Sequence, residues 1–327
     1  MSEIFSASAN TGPRTALVAG LWIGVALILF GWLAPKWLVS LSMLALSLGL
    51  VSLGVLVLMR CGVVPFGQGL VYAAGGYAAA IAFNKWGVTD ALLLSGLGAL
   101  AGLLITLPFA PFLARYRGIF FAMLTLALSM VLYGVLMKTQ SLGGSDGFNV
   151  TRATVFGWRA PDAQAPAVLH TVVVVVSVGF GVLTRIYCNS ARGLVSQAIR
   201  DNELRVEYLG VSVARVMMTN LLIAGTLGGA GGALSILALG HIDPQFSYWT
   251  TSGEFVFVAI LAGHHSVVAL FASSFILELV RSFSSAYFPN TWQLALGVFL
   301  LLVIRFLPNG LGSLGARLTG KSDGAQR

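Results

Sequence analysis

Charge is what this sequence has least of. Asp, Glu, Lys and Arg make up 9% of its 327 residues, against about 25% in soluble proteins. Hydrophobic residues make up 57% and the mean hydropathy is +0.89, which excludes an ordinary soluble domain. No polar stretch is long enough to bury a core of its own, so large extramembrane domains are excluded too. Cys61 and Cys188 are the only cysteines. Both fall at span ends expected on the cytoplasmic side, which speaks against a disulfide. There is no G-x-x-x-x-G-K-[ST] phosphate loop, so any ATP-driven work must draw on another chain. No relay of carboxylates and histidines threads mid-span positions, which argues against a self-sufficient proton-coupled carrier.

What remains is an all-α polytopic membrane protein. A span needs about 20 apolar residues, fewer where protein buries it. The hydropathy places spans at Thr15–Ala34, Trp37–Met59, Val63–Phe83, Thr89–Leu113, Gly118–Thr139, Ala167–Tyr187, Val216–Leu239, Val267–Phe283 and Trp292–Leu307. A shorter apolar piece, Ser252–Gly263, brings the total to about ten transmembrane or partly spanning helices. The third segment is unusual, because Pro65, Gly67, Gln68, Gly69, Gly75 and Gly76 weaken a simple lipid-facing helix. Two compatible readings stand: a broken segment along a water-filled path, or a tightly packed helix using small-xxx-small contacts. Gly98/Gly102, Gly225/Gly229 and Gly228/Gly232 predict further close helix contacts.

The net charge of +8 follows the positive-inside rule rather than nucleic-acid binding, because the basic residues are dispersed between spans. The N-terminal MSEIFSASANTGPR is too polar for a signal peptide and reads as a cytoplasmic tail, residues 1–14. With that end inside, thirteen Lys and Arg fall on the cytoplasmic side and six outside, namely Lys36, Lys85, Lys138, Arg152, Arg159 and Arg281. Both termini are then cytoplasmic. Counting 252–263 as re-entrant would move the C-terminus outside and weaken the agreement.

One hydrophilic stretch between spans also reads as a helix: Asn189 to Arg215, NSARGLVSQAIRDNELRVEYLGVSVAR. Its seven charges would cost roughly 3 kcal/mol each in lipid, while its Leu, Ile and Val would return about 0.5 each. It sits outside the bilayer. Val195, Ala198, Ile199, Val206 and Leu209 recur at helical spacing, so an apolar stripe seeks a partner. Gly210 is placed to end the helix. Such an amphipathic segment, held between two spans, suits docking on another protein.

Other motifs have plainer readings. GGSDG at Gly143–Gly147 matches the G-x-S-x-G hydrolase elbow, but that motif needs a strand before it and a helix after it. A glycine-rich loop at the outer mouth, with Gly143, Gly144, Asp146 and Gly147, fits better. Asp146 there either stabilises the turn or attracts an ammonium group. The adjacent His264 and His265 do not share a helical face, and read as interfacial residues rather than metal ligands. Glu254 and Glu278 lie in apolar segments and are functional candidates by default, unless they sit at an interface. Glu278 can also pair with Arg281 at helical spacing.

The stretch SARGLVSQAIRDNELRVEYLG resembles the cytoplasmic coupling segment of ABC-importer permeases, and most closely the branched-chain amino-acid permease family of the LivM type. RGIFFAMLTLALSMVLYGV, SLGGSDG, SGEFVFVAILAG and RFLPNGL resemble that family in the same order. Arg192-Gly193 reverses the family's usual Gly-Arg order, Asp201 replaces Glu, Val206 stands where Ala is common, and Gln68 stands where His is common. His264-His265 stands where the family often has Gly-Ala.

The resemblance implies a permease domain over residues 15–307, a coupling loop at 189–215 and a cytoplasmic tail at 308–327, in a bacterial inner membrane. It implies as partners a second homologous permease, two cytoplasmic ABC ATPases and a periplasmic binding protein. ATP-Mg would be bound by those ATPases, with no cofactor on this chain. Arg192, Gly193, Val195, Ala198, Ile199, Arg200, Asp201, Asn202, Glu203, Arg205, Leu209 and Gly210 would form the coupling helix. Gln68, Gly69 and Tyr72 would line the path, and Gly143–Gly147 and Glu254 would receive the binding protein or its cargo. Family substrates include leucine, isoleucine and valine, and in related systems urea, amides or other amino acids. The competing readings are a stand-alone secondary transporter or channel, and an intramembrane enzyme using Ser145 or the histidines.

Overall fold

A computed structural model describes residues 13–263, 266–287, 291–306 and 310, without the side chains of 13, 14, 292, 300 and 304. His264, His265 and nearly all of the two expected tails lie outside the described residues. The helices are α1 (Pro13–Leu33), α2 (Lys36–Met59), α3 (Gln68–Trp86), α4 (Ala91–Leu113), α5 (Gly118–Lys138), α6 (Ala165–Asn189), α7 (Ala191–Asp201), α8 (Glu203–Tyr208), α9 (Val213–Leu239), α10 (Trp249–Ala262), α11 (Val267–Tyr287) and α12 (Trp292–Phe306). A two-residue ribbon, β1 (Phe148–Asn149) against β2 (His241–Ile242), joins the loops after α5 and α9 in antiparallel register.

Among the described residues seven helices, α1, α2, α4, α5, α6, α9 and α11, are long and apolar enough to cross a bilayer. The other membrane segments are α3, rich in small residues, and the shorter α10 and α12. This is the all-α polytopic architecture that the hydropathy predicts.

Two helices form the centre. The most apolar window of α2 is 94% buried and that of α9 78%, whereas α1 reaches 17% and α5 22%. The remaining helices arrange themselves around these two in a repeated order. α3 and α4 pack on α9, α10 and α11 pack on α2, and α1 packs on α6. The chain thus divides into two sets of five helices, α1–α5 and α6 with α9–α12, that pack in matching order. In each set a Pro-containing irregular stretch, 60–67 or 240–248, precedes a shorter helix, α3 or α10.

The glycine pairs act as spacing predicts. A Cβ on Gly75 would come 2.1 Å from the Gly229 carbonyl oxygen, and one on Gly229 would come 2.2 Å from that of Gly98. A Cβ on Gly102 would meet the Gly225 carbonyl at 2.2 Å. The backbones of α3, α4 and α9 therefore touch, which only small residues permit.

The third segment differs from its expected bounds. Val63–Gly67 is not helical, and α3 starts at Gln68 and runs on to Trp86. Pro65 removes a donor and Gly67 favours no helix, while Thr125 Oγ1 accepts from Phe66 N–H at 3.1 Å and satisfies the released backbone. α4 starts at Ala91 rather than Thr89 because Asp90 caps it, accepting from the Leu92 and Leu93 N–H groups at 2.9 and 3.2 Å.

Candidate functional site

The hydrophilic stretch lies at the end of the bundle where α2, α4 and α6 finish and α5 and α9 begin. It is not one helix. Asn202 adopts extended backbone (φ −162°, ψ 102°) and separates α7 from α8, its side chain accepting from Arg205 N–H at 3.0 Å. Asn competes for backbone hydrogen bonds and favours N-caps over helix interiors, which is why the Val195–Leu209 helix expected from periodicity breaks there. Ser190 caps α7, and Gly210 (φ +80°) follows α8 in the left-handed conformation, as its position predicts. Gly193 is required where it stands, since a Cβ would lie 2.3 Å from the Tyr187 carbonyl oxygen.

The apolar stripe is a second correction. Ile199 and Val206 are each 4% exposed and pack within the chain's own cluster of Leu58, Leu113, Phe121 and Met217. Val195 is half-buried, and Ala198 and Leu209 are exposed. Periodicity detects an apolar face without saying what covers it, and here the chain's own spans cover Ile199 and Val206 and leave Ala198 and Leu209 open. The face that stays open carries Leu194, Leu204, Tyr208 and Leu209 among the exposed Arg192, Arg200, Asp201, Asn202 and Arg205.

Two contacts join this unit to the spans, and neither was read from the sequence. Arg117, at the start of α5, makes a bidentate pair with Glu203: Nε donates to Oε2 at 3.1 Å and Nη2 to Oε1 at 2.9 Å. Its Nη1 also donates to the carbonyls of Ala114 and Tyr116. The second contact centres on Asn220 of α9, which is fully buried. Its Nδ2 donates to Ser196 Oγ of α7 at 3.0 Å and to Cys61 Sγ at 2.7 Å, and its Oδ1 accepts from Tyr187 OH of α6 at 2.5 Å. Burial pushes the Cys61 thiol above its ordinary value. A lone Asn within the apolar run 216–239 was the available signal, since polar residues inside a span rarely lack a role. Beside this joint, a groove of about 500 Å³ opens between α7 and the start of α9, with Arg192 and Arg215 on its walls.

The residues expected along a path fall in three places. Gln68, Gly69 and Tyr72 lie at the junction of the short helices. Gln68 Nε2 donates to the Ala224 carbonyl at 2.9 Å, and Gly69 N–H, one of the unpaired donors of the α3 N-terminus, is accepted by Ser252 Oγ of α10 at 2.9 Å. Tyr72 stacks on Phe246 at 4.9 Å and meets Phe255 edge-on. All three residues are buried within this chain. The cavity beside Gln68 measures about 40 Å³, room for about one water.

Glu254 lies next to Phe255 and accepts from Arg281 Nη1 at 3.0 Å, with Glu278 4.0 Å from the same nitrogen. Arg281 thus bridges α10 and α11 and, as its spacing from Glu278 predicts, lies beside that carboxylate too. Gly143, Gly144, Asp146 and Gly147 lie at the opposite end from α7 and α8, beside the ribbon. The turn there is closed by Asp146 and Gly147 N–H groups donating to the Gly143 carbonyl. The Asp146 carboxylate stays exposed, accepting from Ser145 Oγ at 2.9 Å. The strand in this loop follows the glycine run instead of preceding it, so no hydrolase elbow is built.

Comparison with known proteins places the chain in a family. Residues 37–305 match the model of the branched-chain amino acid transport system permease component. The high-affinity branched-chain amino acid transport system permease protein LivM of Escherichia coli (strain K12) is 25% identical over 302 residues, covering 83% of this chain and 68% of that protein. LivM of Salmonella typhimurium (strain LT2) is similar to the same extent, 25% over 302 residues with the same coverage. No solved structure matches significantly. A multi-pass bundle matched along most of its length in this way belongs to the branched-chain amino acid transport system permease component family.

Proposed function

We propose that this chain is one membrane subunit of an ATP-binding-cassette importer, forming with a second permease the path for a branched-chain amino acid or a related small polar solute. The solute classes are those the family resemblance implies: leucine, isoleucine or valine, or urea, an amide or another amino acid. Two separate ATPases would supply the energy and a periplasmic binding protein the cargo. The membrane would be the bacterial inner membrane, with α7 and α8 in the cytoplasm. The basic asymmetry supports that orientation, and the similarity to LivM supports the solute class.

The single observation that carries this reading is the α7–α8 unit. It is held to the spans by a bidentate ion pair and a buried Asn, and it leaves exposed a face of Leu204, Tyr208 and Leu209 ringed by charge. Such a face suits a groove on an ATPase, apolar side chains supplying burial and rim charges setting register. ATP binding and hydrolysis would move the unit as a lever, and α5, α6 and α9 would carry the motion into the bilayer. The narrow junction at Gln68 fits a path formed between two permeases instead of within one. Co-expression with the ATPases and second permease tests the reading. Tyr208→Glu is expected to abolish co-purification of the ATPases while the chain still inserts and folds. Unchanged co-purification would count against α8 as the contact.

A further inference from the structure

We infer that the crevice between α1, α6 and α11 seats the upper methylenes of one acyl chain of an anionic phospholipid, with the headgroup phosphate on Arg185. The crevice measures about 80 Å³ and is lined by Gly20 and Leu27 of α1, Val178 and Gly181 of α6, and Phe271 of α11, with Arg185 at one end. Its flank is apolar and open in this chain, since Leu17, Leu21 and Trp22 of α1 are 55%, 66% and 69% exposed. From Val178 to Arg185 the helix rises roughly 10 Å, within the depth of one leaflet, about half of the ~30 Å hydrocarbon core.

Arg185 is the feature that selects the occupant. It lies one turn before the end of α6, where that helix leaves the hydrocarbon, and no ion pair or hydrogen bond engages it among the described residues. A half-buried guanidinium at the leaflet interface, above an apolar slot, complements a phosphate attached to an acyl chain. A free phosphate would leave the slot empty, and a neutral-headgroup lipid would leave the charge unmatched. The crevice touches α1, α2, α6 and α11, so a bound chain would brace the outer pair α1–α6 against the central helix α2.

The test uses the full chain in nanodiscs doped with a phosphatidylglycerol bearing a diazirine on its acyl chain, or with the phosphatidylcholine of identical chains. After irradiation, adducts are mapped by peptide. The phosphatidylglycerol probe is expected to concentrate its adducts on residues 16–27, 178–185 and 267–271, and the phosphatidylcholine probe to label them weakly. Arg185→Gln is expected to lower labelling of those peptides about fivefold, the effect of one basic residue beside an anionic lipid. Val268→Trp, at the half-exposed mouth, is expected to block labelling by steric filling while leaving the melting temperature near that of the parent. Adducts spread evenly around the lipid-facing helices would overturn the proposal. So would enrichment that persists undiminished in Arg185→Gln.

Discussion

At Asn220 one amide side chain satisfies three partners from three parts of the chain: Ser196 of α7, Tyr187 of α6 and Cys61 after α2. Replacing it strands buried polar groups, which costs about 1–3 kcal/mol. Asn220→Ala is therefore expected to lower the melting temperature of the purified chain and to loosen α7. The thiol offers a second readout. Because burial raises its pKa, Cys61 holds little thiolate near neutral pH, and reaction with a maleimide is expected to be slow and to quicken as pH rises. In Asn220→Ala the same reaction is expected to be faster at every pH, and an unchanged rate would show that Asn220 does not hold the joint closed. Residue-scale contacts of this kind were the least legible in sequence. Asn220 stands out only as a polar letter in an apolar run, and nothing adjacent in sequence names its partners.

Among the elements, α8 depends on Arg117 and Glu203. The pair is about one third exposed on each side, so its loss is expected to cost stability no more than about 1 kcal/mol. Its effect on coupling is expected to be larger. In the reconstituted complex, Glu203→Gln should leave ATP hydrolysis running while uptake falls, and the exchange Arg117→Glu with Glu203→Arg should restore part of the uptake. Equal loss of hydrolysis and uptake, unrelieved by the exchange, would show that the pair serves folding alone. The glycine contacts invite a paired measurement. Gly229→Ala places a methyl against the Gly98 carbonyl and is expected to destabilise by about 1–3 kcal/mol. Gly96→Ala, with nothing within 4 Å of the new Cβ, is expected to be neutral or slightly stabilising in thermal melts.

The spans, the small-residue contacts and the exposed hydrophilic unit were all legible at this scale, because hydropathy and spacing encode them directly. The break at Asn202 was not, because helical periodicity continued across it. The burial of Ile199 and Val206 was not either, because an apolar stripe looks the same whether a partner protein or the chain's own α2, α4 and α9 covers it. The start of α3 at Gln68 was hinted at by Pro65 and Gly67, but the Thr125 hydroxyl that makes the irregular stretch tolerable comes from 59 residues away in sequence.

For the whole molecule, two central helices carry two sets of neighbours, and a hydrophilic unit between the sets emerges at one end. On the proposed function that geometry would carry motion from the α7–α8 surface into the bundle, and the cavity beside Gln68 among the described residues measures about 40 Å³. The central claim is that the work comes from ATPases outside this chain and that the path needs a second permease. Uptake of radiolabelled leucine, isoleucine or valine into proteoliposomes, fed by the periplasmic binding protein, tests it most directly. The account predicts accumulation only when the second permease and both ATPases are reconstituted with this chain and supplied with ATP. Accumulation by the purified chain alone, without ATP, would contradict it.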